Sequence, residues 1–562
     1  MLSLLAMQAA AIQLQQLKPR EQERPSAYAE RLGRSYASLT QTEHKRSLGQ
    51  YFTPTDVACF MARMYRSAGQ RLRVLDPGAG AGALSCALCE SLASRREKPG
   101  EITLDAYETD ITLAGYLEQS LAYAKEWLLR KGINLNFKIY TDDFVLNNAE
   151  ILSDSLSLFP RPSLHGGEFD LVIANPPYFK LPKSDPRAQA ASAIVWGQPN
   201  IYAIFMAISA QMLREDGEMV VISPRSYAAG NYFQLFRERF FARMRPEAIH
   251  LFDSRREAFS RDEVLQENMI LRAQRMSNWV NNGKTEVEIS RSSGIQDLSQ
   301  LSKRLVPLAE VLDVNSADKV LRIPLAREDD EIARIIHSWP GSLRNYGLEI
   351  STGPVVPFRA VPLICQQGSV PQTHAPLLWM QNVTAMRVDW PVTARNKSQY
   401  IVATVESRPL LVKNQNYVLL RRFSAKEAAR RLVAAPFLAN IINAPFVGLE
   451  NHLNYVHRPG GSLSAEEACG LAALLNSALI DSYFRTFNGN TQVSATELRA
   501  MPLPPLNLIK TLGECVMTEP HDLASLDTLV DKLLVNGRGE ANIAEMPDHL
   551  IHFNGDRFLG PR

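Results

Sequence analysis

The sequence predicts an α/β fold: a doubly wound domain with a mostly parallel seven-stranded sheet, then a C-terminal domain of mixed α+β type. Three observations predict it. From about Arg71 short β-rich runs alternate with helical patterns, a glycine-rich turn joins the first run to its helix, and the alternation stops past about Arg275. Strand, helix and strand in regular succession give a parallel sheet with helices on both faces.

The strands expected are Arg73–Asp76, Ile102–Glu108, Leu135–Tyr140, Phe169–Ala174, Glu218–Ser223, Ala248–Asp253 and Asn268–Ala273. Helical patterns fill Ile111–Arg130, Ile201–Leu213 and Gln234–Arg243 between them. Residues 276–345 are polar and mixed, and 346–460 are rich in β-branched residues, prolines and short turns. Helices return at Ser464–Arg485 and near Asp522–Leu534. At 562 residues the chain exceeds one ordinary core. The division expected is a helical N-terminal extension (1–45), the doubly wound domain (46–280), a less regular domain (281–505) and a helical tail (506–562).

Composition bounds the setting. No apolar run is long enough to span a bilayer. The opening MLSLLAMQAAAIQLQQLKPR has glutamines where an export signal would stay apolar, so it reads as a helix. Six scattered cysteines form no disulfide framework and fit a reducing, cytoplasmic setting. Net charge is only +2, but between Gly341 and Gly460 there are 13 Lys and Arg against 5 Asp and Glu. That excess suits a phosphate backbone. Arg421-Arg422 and Arg430-Arg431 read equally well as phosphate contacts or as a solvated face.

Chemistry concentrates in two motifs. The first is Val74-Leu75-Asp76-Pro77-Gly78-Ala79-Gly80-Ala81-Gly82, a strand entering a glycine turn. Gly78 and Gly80 let the backbone approach a ligand closely. Asp76 ahead of them would repel a pyrophosphate but could hold the ammonium of a methionine moiety. The next strand ends in Glu108, placed for two ribose hydroxyls, with Asp110 a near competitor.

The second motif is Asn175-Pro176-Pro177-Tyr178, directly after an apolar strand. Two prolines fix the backbone and remove amide donors, leaving carbonyls to accept. The 6-amino group of adenine is a poor nucleophile because its lone pair is delocalised into the ring. The Asn175 side-chain oxygen and the Pro176 carbonyl can accept its two N–H bonds and localise that lone pair. Tyr178 offers a face for stacking. Cys86 and Cys89 have no second pair and the ten histidines no cluster, so no metal is expected. Tyr202, Phe205 and Met206 fall at helical spacing and read as core.

Over roughly residues 45–505 the chain resembles the gamma-ordered, adenine-specific DNA methyltransferases of type II restriction-modification systems. Gly49-Gln50-Tyr51-Phe52-Thr53-Pro54 is similar to their leading cofactor motif, and the stretch from Asp76 to Gly82 to their glycine loop. Asp142-Asp143-Phe144 resembles the motif whose Asp holds the cofactor's adenine and whose Phe packs beside it. Phe252-Asp253 to Phe259, followed by Val264-Leu265-Gln266-Glu267, resembles the motif that sets a second aromatic, Phe259, against the target base. Gly489-Asn490-Thr491-Gln492-Val493, Leu498-Arg499 and Pro502-Leu503-Pro504 resemble the closing signature of the recognition domain.

The resemblance implies a class I methyltransferase fold using S-adenosyl-L-methionine. Tyr51, Thr53, Asp76, Gly78, Gly80, Glu108, Asp143 and Phe144 would bind the cofactor. Asn175, Pro176, Pro177 and Tyr178 would be catalytic, and Tyr178 and Phe259 would stack on the target. It further implies duplex DNA as partner, base flipping, a monomer, and a possible cognate endonuclease acting separately. Alternatives are methylation of RNA bases or of a protein glutamine amide, and a bifunctional enzyme that also cuts DNA. For cutting, the sequence offers only one E-x-K triplet, Glu43-His44-Lys45, with no Pro-Asp upstream.

Overall fold

Val74 and Leu75, neighbours on one strand, enter different cores. That alternation organises the first of two units, Met1–Leu325 and Ala326–Arg562. The computed structural model describes residues 17–535, apart from 41–51, 155–166, 196–198, 253–266, 366–373, 393–396, 519–521 and single positions 278, 282, 300, 315, 317, 426 and 490.

The first unit is built on β1 (Arg71–Asp76), β2 (Glu101–Tyr107), β3 (Asn134–Tyr140), β4 (Phe169–Ala174), β5 (Leu213–Pro224), β6 (Met244–Phe252) and β7 (Asn268–Arg275). Two more strands, β8 (Glu286–Ser292) and β9 (Ser302–Pro307), were not expected. The sheet order is β3-β2-β1-β4-β5-β7-β6-β8-β9, nine strands rather than seven. β3, β2, β1, β4 and β5 are mutually parallel, and β7 runs antiparallel between β5 and β6. The unit therefore ends at Leu325, not near 280. The polar sequence after 276 hid this extension: β9 has only Val306 fully buried, so its hydrophobic period is nearly absent.

Leu171 and Ile173 of β4 join one core while Val172 and Ala174 join the other; β5 repeats the pattern with Val220 and Ile222 against Met219 and Val221. A sheet buried on both faces needs such two-sided apolar strands. Helices α1 (Pro25–Leu39), α2 (Thr55–Met64), α3 (Ala83–Ala93), α4 (Ile111–Leu129), α5 (Phe144–Asn148), α6 (Ile201–Met212) and α7 (Gln234–Phe241) complete the layers. Helix α1 is more than an extension. Its Tyr28, Leu32 and Tyr36 form one cluster with Ala81 of the glycine turn and with Leu113 and Tyr116 of α4. Most of the N-terminal segment read as a helix lies outside the described residues.

The second unit holds a four-stranded antiparallel sheet, ordered Glu349–Thr352, Leu453–His457, Tyr417–Arg421, Ala434–Phe437. Beside it lies a five-stranded sheet, ordered Ile364–Cys365, Tyr400–Val402, His374–Leu378, Phe446–Leu449, Leu411–Lys413. The helix expected over Ser464–Arg485 is two helices, Ala465–Asn476 and Ala478–Phe487, because Ser477 turns extended and caps the second through Ile480 N at 3.3 Å. Leu506–Thr518 belongs to this unit and is no separate tail. It crosses Ala465–Asn476 so closely that a Cβ on Gly470 or Gly513 would overlap a carbonyl oxygen of the other helix.

Candidate active site

Asp76 ends β1, Glu108 follows β2, Asp143 follows β3 and Asn175 follows β4. These four strands are adjacent and parallel, so the four side chains stand in a row along one carboxyl edge of the sheet. At this edge β1 connects onward to β2 on one side and its neighbour β4 to β5 on the other, which is where doubly wound sheets bind ligands.

The glycine turn is shaped for close approach. Gly80 and Gly82 have φ of +56° and +90°, a left-handed backbone that L side chains adopt only under strain. A Cβ on Gly82 would meet Leu117 of α4 at 2.9 Å. A Cβ on Gly78 would lie 3.6 Å from the Asn175 main-chain oxygen, so the two motifs are neighbours in space.

Asp76 is fully buried. Its Oδ2 accepts from the Ser85 hydroxyl at 2.6 Å, bracing the start of α3, while Oδ1 has no hydrogen-bond partner among the described residues. Burial raises its carboxyl to about 7, against the opposing hydrogen bonds from Ser85 and the backbone of Gly78. Glu108 is raised to about 7 by the same cause, with the Asp110 N–H donating to it at 2.8 Å. Asp110 is committed elsewhere: it accepts from Leu113 N at 3.0 Å as the cap of α4, and from the Tyr36 hydroxyl at 2.6 Å. Asp110 is thus engaged within the fold, and Glu108 stays the candidate of the two acids. Two acids penalised by burial, one with an unsatisfied oxygen, form a surface that seeks donors. Such a surface could accept hydrogen bonds from an ammonium or from hydroxyls.

Asp143 caps α5, its Oδ1 accepting from Val145 N at 2.9 Å and Leu146 N at 3.0 Å, and its Oδ2 lies 3.6 Å from Arg187. Phe144 is buried, its ring 5.0 Å from Tyr107 and 4.9 Å from Phe205. Tyr107 in turn stacks on Tyr140 at 4.6 Å.

At the second motif, Pro176 is buried and Asn175, Pro177 and Tyr178 are half-buried. Asn175 Nδ2 donates to Thr53 Oγ1 at 3.0 Å, and the Tyr178 hydroxyl donates to Asn175 Oδ1 at 2.6 Å. Thr53 thus touches the amide of the tetrad, a contact the sequence did not disclose. Phe52 beside it packs on the glycine turn, 3.8 Å from where a Gly80 Cβ would sit. The largely apolar α6 is core, as its spacing suggests, yet it backs the site: Phe205 lies 3.9 Å from a Gly78 Cβ, and Tyr202 meets Tyr178 edge-on at 6.2 Å. Cys86 and Cys89 are buried within α3, where burial pushes the Cys89 thiol up to about 12. Tyr51 and Phe259 lie outside the described residues, as do 49–50, 253 and 264–266. Glu267 is buried with Arg225 3.7 Å away, joining the start of β7 to the end of β5.

In the second unit the paired arginines bond within the protein; Arg431 is buried, and Arg421, Arg422 and Arg430 are partly exposed. Arg431 is 1% exposed and donates to Ser424 and Asn488. Arg421 donates to the Val383 carbonyl at 2.6 Å, Arg422 to that of Asn451 at 3.0 Å, and Arg430 pairs with Asp527. The closing signature is tied into the same knot: Val493 N donates to Arg422 O at 2.8 Å, and Arg499 to Ile350 O at 2.8 Å.

Comparison with known proteins places this carboxyl-edge row and Asn-Pro-Pro-Tyr turn in a restriction-modification methylase. The Eco57I restriction-modification methylase family matches residues 102–259. The chain is 33% identical over 506 residues to the type II methyltransferase M.BsuBI of Bacillus subtilis, covering 89% of this chain and 96% of that one. It is 31% identical, with the same coverage, to M.PstI of Providencia stuartii. Among solved structures, the type IIG restriction endonuclease BpuSI aligns over 92% of this chain and 66% of its own, at TM-score 0.42 and 16% identity. The chain belongs to the type II methyltransferases.

Proposed function

We propose that this chain transfers a methyl group from S-adenosyl-L-methionine to the 6-amino group of adenine in duplex DNA, as the modification enzyme of a type II restriction-modification system. One observation carries the reading: the Asn175 amide stands at the carboxyl edge of β4, with its main-chain oxygen 3.6 Å from where a Gly78 Cβ would lie. The amide that would accept from an aromatic amine and the glycine turn that would border a methyl donor are thereby neighbours.

Asp76 and Glu108 would hold the methionine ammonium and the ribose hydroxyls, and Asp143 with Phe144 would border the adenine ring. The bound cofactor supplies an electrophilic methyl on a sulfonium. Asn175 Oδ1 and the Pro176 carbonyl would accept both N–H bonds of the target amine and localise its lone pair for in-line attack. The amine loses its proton after transfer, so no side chain need be a matched base. The target amine is buried in pairing within a duplex, so the base must leave the stack, at a cost of a few kcal/mol. An aromatic face returns about 1–3 kcal/mol per base, which Tyr178 and Phe259 would supply. The second unit would carry most of the DNA contact.

Methylation-sensitive long-read sequencing of DNA from cells expressing the chain tests this. N6-methyladenine at a single sequence motif is expected. Modified cytosine, or no modified base, refutes it.

A further inference from the structure

An asparagine amide has two orientations of similar intrinsic energy, since its terminal torsion is broad and roughly two-fold. Only one of them turns an oxygen towards a target amine; the other presents N–H to N–H. The catalytic role proposed above therefore needs neighbours that anchor the amide; a hydroxyl can bond either end of it, so the orientation is set by both partners together. Two hydroxyls flank this amide. Tyr178 donates to Oδ1 at 2.6 Å, and Thr53 accepts from Nδ2 at 3.0 Å.

The two differ in what happens when a base arrives. Tyr178 donates to the very oxygen the target amine must use, so its bond must either share that oxygen's two lone pairs with the amine or shift away. A second acceptor is in reach, the Ile222 carbonyl at 3.2 Å. The Thr53 bond is on the nitrogen and can persist throughout. Thr53 is also fixed in place: it is 6% exposed, and it lies between Phe52, packed on the glycine turn, and Thr55, whose hydroxyl donates to Glu30 of α1.

We infer that Thr53 is a positioning residue for the Asn175 amide, its hydroxyl oxygen holding Nδ2 so that Oδ1 faces the target amine. This rests on the methyltransferase reading above. It changes the part expected of Thr53, from lining the cofactor to aligning the catalytic acceptor. It also makes α1 and the Phe52-Thr53-Pro54 turn a support for catalysis.

Thr53→Val keeps the side chain's shape and removes the acceptor; Thr53→Ser keeps the acceptor and removes a methyl. With saturating DNA and cofactor, kcat of Thr53→Val is expected to fall about 10- to 100-fold, the scale of one catalytic hydrogen bond. Its Kd for S-adenosylmethionine, read by calorimetry, should stay within about twofold, and Thr53→Ser should recover kcat to within about threefold. Cofactor affinity lost with kcat unchanged would overturn the inference and return Thr53 to a cofactor contact. Equal loss in the serine and valine variants would overturn it too, in favour of packing. If Thr53→Val is destabilised on melting, the serine variant alone decides, since loss of kcat there contradicts the role. Product analysis of the unmodified enzyme keeps the two readings apart. N6-methyladenine with an unimpaired valine variant sinks only the positioning role, whereas another product sinks the proposed function.

Discussion

The two units use their polar residues in opposite ways. In the first, Asp76, Glu108 and Asn175 stand at the ends of parallel strands, where backbone direction alone gathers them. In the second, Arg421, Arg422, Arg430 and Arg431 sit in a basic stretch and bond within the protein. Position on a parallel sheet is a strong guide to use, and local charge density is a weak one. A cluster of arginines in sequence measures only how many cations must be satisfied. Whether water, phosphate or protein satisfies them is a tertiary matter.

The largest effect expected comes from the carboxyl edge. Asn175→Ala should lower kcat by at least about 10²- to 10³-fold, the scale of removing one transition-state partner, while calorimetry shows cofactor binding unchanged. Full activity in that variant would remove the amide from the chemistry. In the second unit, Arg431→Ala should cost about 3 kcal/mol in denaturant unfolding by stripping a buried cation from its partners. If it leaves stability unchanged but weakens DNA binding, the arginine is a contact after all and the contrast fails. Gly470→Ala should follow at about 1–3 kcal/mol, because the two helices must separate to admit a methyl.

A pH experiment sharpens the role of the buried acids. Glu108 rises from an ordinary 4.5 to about 7 in the fold, so the native state holds its proton over a range where the unfolded chain has released it. More protons bound in the native state means stability falls as pH climbs from about 4.5 to 7. Cofactor affinity should run the other way, strengthening through pH 7 as the carboxylate forms to accept ribose hydroxyls. Glu108→Gln should make both curves shallower, leaving the part contributed by Asp76, whose carboxyl is also raised to about 7. A pH-independent affinity in the unmodified enzyme would argue against Glu108 as the ribose ligand. The smallest effect concerns the exposed cations. Lys413→Gln should reduce the slope of log affinity for DNA against log salt by about one. Arg422→Gln should leave that slope alone, because its guanidinium is already engaged with the Asn451 carbonyl.

Much of the first unit could be read before any fold was known. Seven strands were expected within a few residues of where they lie, since a strand buried on both faces must be apolar throughout, and few other patterns look so. Asp76, the glycines, Glu108 and Asn175 were legible because each sits at a fixed offset from such a strand. β8 and β9 were not: β9 at the sheet's edge fully buries only Val306, and β8 beside it places serines, Ser290 and Ser292, among its buried residues. Glu108 and Asp110 were indistinguishable as letters. Only the fold spends Asp110 on the α4 cap and Tyr36.

The sequence by itself determined the order of motifs, the parallel sheet that aligns them and the chemistry of an amide beside two prolines, because these follow from local periodicity and residue type. Tertiary structure alone decided that Thr53, 122 residues earlier, reaches the Asn175 amide, and that Arg431 is buried against Ser424 and Asn488. Those outcomes depend on which surfaces meet, and no spacing along a chain encodes the distance between two side chains that only folding brings together.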